Sequence, residues 1–170
     1  MVGKRTLTIK IIKKNMMNLF SIGFTQKTAE DFFALLKDNK IDCLIDVRLN
    51  PNGQLSRFAF EKDLPYFLNK LANGCQYFHR VDLAPQNQLL KEVRTKGSDM
   101  SKDYKLFEKE FNIYLEKESK IENFVESFKN FENVALLCSE HTTEKCHRRL
   151  VCDMLINKFG KEIKFGKHLK

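Results

Sequence analysis

Apolar and polar positions fall in short blocks along the chain, and the blocks read in turn as strands and helices. Leu19-Phe20-Ser21-Ile22, closed by Gly23, has the length and character of a buried strand. Thr28-Ala29-Glu30-Asp31 opens a helix, with Thr28 as N-cap and Asp31 at the capping-box position. Phe32, Phe33, Leu35 and Leu36 supply its apolar face. Ile41 to Val47 is nearly continuous apolar sequence with Asp46 close to its end, the pattern of a strand covered on both faces. From Arg48 to Arg57 the chain turns polar, with Asn50-Pro51-Asn52-Gly53 inside, and reads as an ordered loop leaving a strand tip.

Leu64, Phe67, Leu68 and Leu71 stand at helical spacing, and Gln76 to Val81 reads as a third strand, more polar and nearer an edge. Phe107, Phe111 and Tyr114, then Phe124 and Phe128, recur at helical intervals and predict two helices broken near Ser119. Such an aromatic stripe is read as core. Val134 to Leu137 is a fourth strand ending at Cys138, and a helix from about Lys145 to Phe159 buries Leu150, Val151, Met154 and Leu155. Glu162-Ile163-Lys164-Phe165 is the last strand. Regular strand–helix alternation predicts a single α/β domain: a central, mostly parallel sheet of about five strands flanked by helices, a Rossmann-like three-layer arrangement.

Composition adds two limits. No apolar run approaches the roughly 18–20 residues of a membrane span, so no membrane association is expected. Five cysteines in 170 residues leave a fully paired disulfide set unlikely on count alone and favour a reducing, cytoplasmic setting. The net charge of +8 invites a nucleic-acid partner, but it is unevenly placed. Residues 1–18 hold five basic side chains and no acidic one, and residues 157–170 hold five lysines against one glutamate. The remaining 19–156 carry 20 basic and 21 acidic residues, so basicity lives at the ends and reads as solvated tails. Residues 1–16 form a basic extension ahead of the domain at 17–170. They fit a short extra strand (Leu7 to Ile12), an arm, or an upstream start before Met16 or Met17, and carry no signal-peptide pattern.

In an open parallel sheet, ligands sit beyond the carboxyl ends of the strands. Here those ends are Gly23-Phe24-Thr25, Asp46-Val47-Arg48 and Cys138-Ser139-Glu140, each more polar than the strand feeding it. The segment from Cys138 to Arg149 is the densest in chemistry. It leaves a strand and enters a helix, so an anion would be favoured at the helix start and a nearby thiol would ionise more readily.

Ser21-Ile22-Gly23-Phe24-Thr25, Asp46-Val47-Arg48-Leu49-Asn50-Pro51 and Leu137-Cys138-Ser139-Glu140 with Cys146-His147-Arg148-Arg149-Leu150 resemble the domain-of-unknown-function 488 family, the YeaO-like group, over about residues 17 to 168. The Cys-x-Glu…Cys-His-Arg pattern is the specific part. Phe24 stands where His or Tyr is commoner in such relatives, and Ala84-Pro85 replaces a frequent Gly-Gly. The resemblance implies a site rather than a reaction.

Three chemistries compete there. Cys138 or Cys146 would be a thiolate nucleophile, with His147 or His141 as base and Arg148 holding an anion. Cys138, His141, Cys146 and His147 match zinc in number, but their spacing fits no common knuckle, and no metal or cofactor is expected. A non-covalent site would use Asp46, Arg48, Glu140 and Arg148 for acid–base work on a sugar-phosphate or nucleotide. The same Asp46 at the end of an apolar strand needs an arginine partner even in a purely structural network. The expected catalytic set is Cys138, Glu140, Cys146, His147 and Asp46. The expected anion or substrate set is Arg148, Arg48, Gly23, Thr25 and Asn50. Two functions fit: an enzyme acting on an anionic small molecule, nucleotide or nucleic acid through a reactive cysteine, or a non-catalytic module binding nucleic acid or a protein. His79 reads as structural, Cys43 and Cys152 as core, and His168 as the end of a frayed tail, or as closing the site were the last strand to lie beside the fourth.

Overall fold

The structure, a computed structural model, describes residues 16–53, 57–96, 104–117 and 120–170. The expected extra strand at Leu7 to Ile12 and the expected helix break near Ser119 lie outside these residues. Five strands, β1 (Met17–Gly23), β2 (Cys43–Asp46), β3 (Gln76–His79), β4 (Asn133–Cys138) and β5 (Ile163–Leu169), form one sheet in the order β3-β2-β4-β1-β5. Every strand pair is parallel. The helices are α1 (Ala29–Asp38), α2 (Leu64–Leu71), α3 (Asn87–Lys96), α4 (Tyr104–Lys117), α5 (Phe124–Phe128) and α6 (His147–Phe159).

Period-two alternation along the strands divides the core into two layers. Val134, Leu136 and Cys138 of β4 face the same cluster as Leu19, Cys43 and Ile45, roofed by α4, α5 and α6. Ala135 and Leu137 face the opposite cluster with Ile22 and Leu44, roofed by α1 and α2. β2 and β4 are buried residue after residue apart from the half-buried Asn133, as both-face coverage requires. The capping box that starts α1 forms as the sequence predicts, with the Asp31 amide donating to Thr28 Oγ1 at 3.1 Å. The aromatic stripe is core: Phe107, Phe111, Phe124 and Phe128 are buried on the α4–α6 side.

Two features were not anticipated. Among the described side chains of helix α3, NQLLKEVRTK, Leu89 and Leu90 are the partly buried anchors, and two adjacent leucines in a polar stretch give little periodic signal. The frayed tail expected around His168 is a strand. β5 runs to Leu169 beside β1, with a register irregularity between Leu19 and Ser21, and Ser21 Oγ lies 2.5 Å from His168 Nδ1. Gly166 belongs there because a Cβ would come within 2.6 Å of the Phe20 ring.

Adjacent strands β2 and β4 send their connections to opposite faces, β2 toward α2 and β4 toward α6. A crevice must open between two parallel strands whose exits diverge in this way. Among the described residues no helix is long and apolar enough to cross a membrane.

Candidate functional site

The crevice is a cleft of about 230 Å³ lined by Arg48, Leu49 and Asn50 from the β2 exit and by Cys138, Ser139, Glu140, Lys145, Cys146 and His147 from the β4–α6 connection. Pro85, Leu90 and Phe107 close its apolar side. A larger cleft of about 570 Å³ opens between α4 and α6, with Glu108, Asp153 and Met154 in its walls, and it contains no cysteine or histidine.

Cys138 ends β4 with its sulfur 3.7 Å from His147 Nδ1 and 3.9 Å from Nε2. The His147 ring is held from two sides. Its Nε2 lies 2.8 Å from the Val47 carbonyl, across 100 residues of sequence. The Phe111 ring meets it edge-on at 5.9 Å between centroids. Cys146 takes the N-cap position of α6, so the positive end of the helix sits beside both sulfurs. A hydrogen bond from Cys146 to Cys138 outweighs burial and, with His147 and Arg148 nearby, holds the Cys138 thiol well below the ordinary range. Donating that proton, together with burial, pushes the Cys146 thiol up. Burial works against a charged His147, but the Cys138 thiolate and the Val47 carbonyl overcome it and raise the imidazole above its usual value. The two thiols are thus driven in opposite directions, Cys138 down and Cys146 up. The other thiols differ: burial drives Cys43 and Cys152 up, and Cys75 to about 12.

Both candidate anion-binding arginines have protein acceptors. Arg48 forms a bidentate pair with Asp46, with Nη2 at 2.5 Å from Oδ2, and also donates to the Ala59 carbonyl at 2.7 Å. Tyr77 donates to the same carboxylate at 2.8 Å. Arg148 is 1% exposed and lies toward β1. It donates to the Glu140 carbonyl at 2.6 Å, the His141 carbonyl at 3.3 Å, Cys146 Sγ at 3.1 Å and Ser21 Oγ at 3.3 Å. Asp46, Arg148, Gly23 and Thr25 thus brace the loops, while Cys138, Glu140, Cys146, His147, Arg48 and Asn50 reach the cleft.

Thr25 donates from its hydroxyl to the Ser139 carbonyl at 2.7 Å, and its amide donates to the same oxygen at 3.1 Å. Gly23 lies beside Cys138 in the sheet, and a Cβ on it would stand 1.8 Å from the Glu140 carbonyl oxygen. Gly23→Ala is expected to destabilise the fold by about 1–3 kcal/mol, because backbone must move to admit the methyl. A fall in the urea midpoint followed by circular dichroism checks it, and an unchanged midpoint contradicts the close approach.

Sequence reasoning missed the Val47 carbonyl, Leu90 and the two aromatic walls Phe107 and Phe111. The aromatics were visible only as a core stripe, and a backbone carbonyl has no sequence signature. His79 is structural, as expected, with Nε2 2.9 Å from the Arg48 carbonyl and Nδ1 3.3 Å from Glu61. Cys43 and Cys152 are fully buried. Phe24 is buried away from the cleft, 5.1 Å from the Arg48 guanidinium, whereas Pro85, in the other departure from the relatives, lines it. Of the four zinc-type residues only three converge: Cys138, Cys146 and His147 offer ligand atoms within 4.8 Å of one another. His141 lines a different cavity with Lys27 and Lys170.

Fold and cleft define an open parallel α/β protein with two cysteines and a histidine gathered at the carboxyl edge of its sheet. The family model of the domain of unknown function DUF488 matches residues 28–155, which span β2, β4 and the start of α6, and the chain belongs to that family. Comparison with curated proteins and with solved structures finds no match.

Proposed function

We propose that this protein is an enzyme of covalent catalysis, with Cys138 as nucleophile and an anionic substrate of the phosphorylated or nucleotide kind. The observation that carries the reading is the Cys138 sulfur, set against the His147 ring in a cleft at the end of a central strand. In the first step Cys138 Sγ forms a bond to the electrophilic atom of the substrate as the bond to the leaving group breaks. His147 gives its proton to that leaving group. In the second step water releases the bound group, with His147 or Glu140 on the cleft wall taking the proton. Cys146 donates its S–H to the resting thiolate. Lys145 supplies positive charge at the mouth, Asn50 a neutral polar contact, and Phe107 and Pro85 an apolar wall for a ring. Five free thiols are in keeping with a reducing compartment such as the cytoplasm.

Alkylation of the metal-free protein with iodoacetamide at neutral pH, mapped by mass spectrometry, tests the reading. Cys138 is expected to react first, on the order of tenfold or more ahead of Cys43, Cys75 and Cys152, because its thiol is shifted down while theirs are shifted up. Inorganic phosphate should slow it, and His147→Ala should remove most of the advantage. Uniform reaction of the cysteines would sink the nucleophile. Heparin retention that survives Cys138→Ser and falls when residues 1–16 are removed, in a protein without that fast thiol, would favour the binding module instead.

A further inference from the structure

The spacing along the chain argued against a metal, but the fold brings together a different ligand set from the one that spacing suggested. Two thiols and an imidazole are a donor set suited to zinc, as soft sulfur ligands combined with nitrogen. In a tetrahedral zinc site, bonds of about 2.3 Å to sulfur and about 2.0 Å to nitrogen place those two ligand atoms about 3.5 Å apart. Cys138 Sγ and His147 Nδ1 are 3.7 Å apart. The surroundings match as well. A ligating histidine is oriented by donating its other ring N–H to a fixed acceptor, and His147 Nε2 has the Val47 carbonyl at 2.8 Å. With Nε2 so engaged, Nδ1 is the ligand nitrogen, and because the Cys138 sulfur lies 3.7 Å from Nδ1 and 3.9 Å from Nε2, the ring must tilt toward the metal as it binds. Arg148 Nη1, 3.1 Å from Cys146 Sγ, offsets the charge that a second thiolate would bring into a buried place.

We propose that Cys138, Cys146 and His147 form a three-ligand zinc site whose fourth position opens into the cleft. All three residues line that cleft, with Asn50, Glu140 and Lys145 around the open side. Binding requires both sulfurs as thiolates and Nδ1 without a proton, so any proton these atoms hold leaves to solvent as the metal enters. A zinc ion on the Cys138 sulfur also removes it as an attacking group. The loaded protein is thus the capped form and the metal-free protein the reactive one. Zinc binding depends on the cleft described above and not on attack by Cys138.

The full-length reduced protein, freed of metal, is titrated with Co²⁺ and followed by absorption. The expected result is one equivalent bound, with a thiolate-to-cobalt charge-transfer band and the visible bands of a tetrahedral ion, both displaced by one equivalent of Zn²⁺. Cys138→Ser, Cys146→Ser and His147→Ala should each weaken Zn²⁺ at least tenfold to a hundredfold. Cys43→Ser, which alters a buried thiol outside the site, should not. Saturating Zn²⁺ should also protect Cys138 from iodoacetamide. Absence of the charge-transfer band, or a band that survives Cys138→Ser, overturns the zinc site. If Co²⁺ and Zn²⁺ fail to bind while the metal-free Cys138 still alkylates fast, the zinc site falls alone. If they bind while the metal-free Cys138 is inert, the nucleophile falls and the zinc site stands.

Discussion

Asp46→Ala should lower the unfolding free energy by about 3–5 kcal/mol, since it leaves the Arg48 guanidinium charged and buried without its counter-ion. Asp46 is completely buried and Arg48 is 5% exposed. The lost carboxylate accepts from Nε and Nη2 of Arg48, from the Arg48 amide and from Tyr77, so no single neighbour can replace it. Replacing both partners by apolar residues of similar size, Asp46→Leu with Arg48→Met, should recover much of the loss, because the charge goes with the carboxylate. The chain has no tryptophan, so urea unfolding is best followed by circular dichroism. A single-mutant loss under about 1 kcal/mol would mean that water reaches the guanidinium and that the pair is of the surface kind.

Arg148→Ala is expected to be comparably severe, at about 4 kcal/mol, for a different reason. Among the described residues, Arg148 has no buried carboxylate against it. Its donors instead hold the Glu140 and His141 carbonyls, the Ser21 hydroxyl and the Cys146 sulfur. Truncation strands several buried acceptors, at about 1–3 kcal/mol for each that finds no water, and empties the volume of a long side chain. Arg148→Lys should restore less than half, because one ammonium cannot reproduce a planar fork aimed at several acceptors. The neighbouring Arg149 is half-buried and pairs with Glu108 and Asp153 at the surface. Arg149→Ala should therefore cost under about 1 kcal/mol, which makes it the control. Equal losses for the two variants would contradict the bracing role of Arg148.

These two arginines show how far the residues could be read unaided. Asp46 at the end of an apolar strand demands a partner on desolvation grounds alone, and Arg48, two positions on, meets that demand. Arg148 carries no such signal. A guanidinium beside a helix start suggests anion binding, and only the fold shows its donors turned toward β1 and occupied. The cysteines divide the same way. Core positions for Cys43 and Cys152 follow from their apolar neighbours, but nothing local says that the Cys138 thiol is driven down while Cys146 is driven up. That difference comes from which sulfur accepts and which donates.

Periodicity along the chain was enough to determine five strands, most of the helices, the parallel α/β class and the sheet edge at which the cysteine–histidine cleft opens. These follow from local rules: side chains alternate in strands and recur every three to four residues in helices, whichever partners they later meet. That the β2 exit and the α6 start share a cleft was an expectation from the sequence; the tertiary structure alone decided that they meet through the His147 contact with Val47, that His141 stands apart from the sulfurs, and that the terminal segment pairs with β1. Each of these joins positions about a hundred or more residues apart, or turns on the direction of one side chain, and pairings at such distances are set by how whole layers pack.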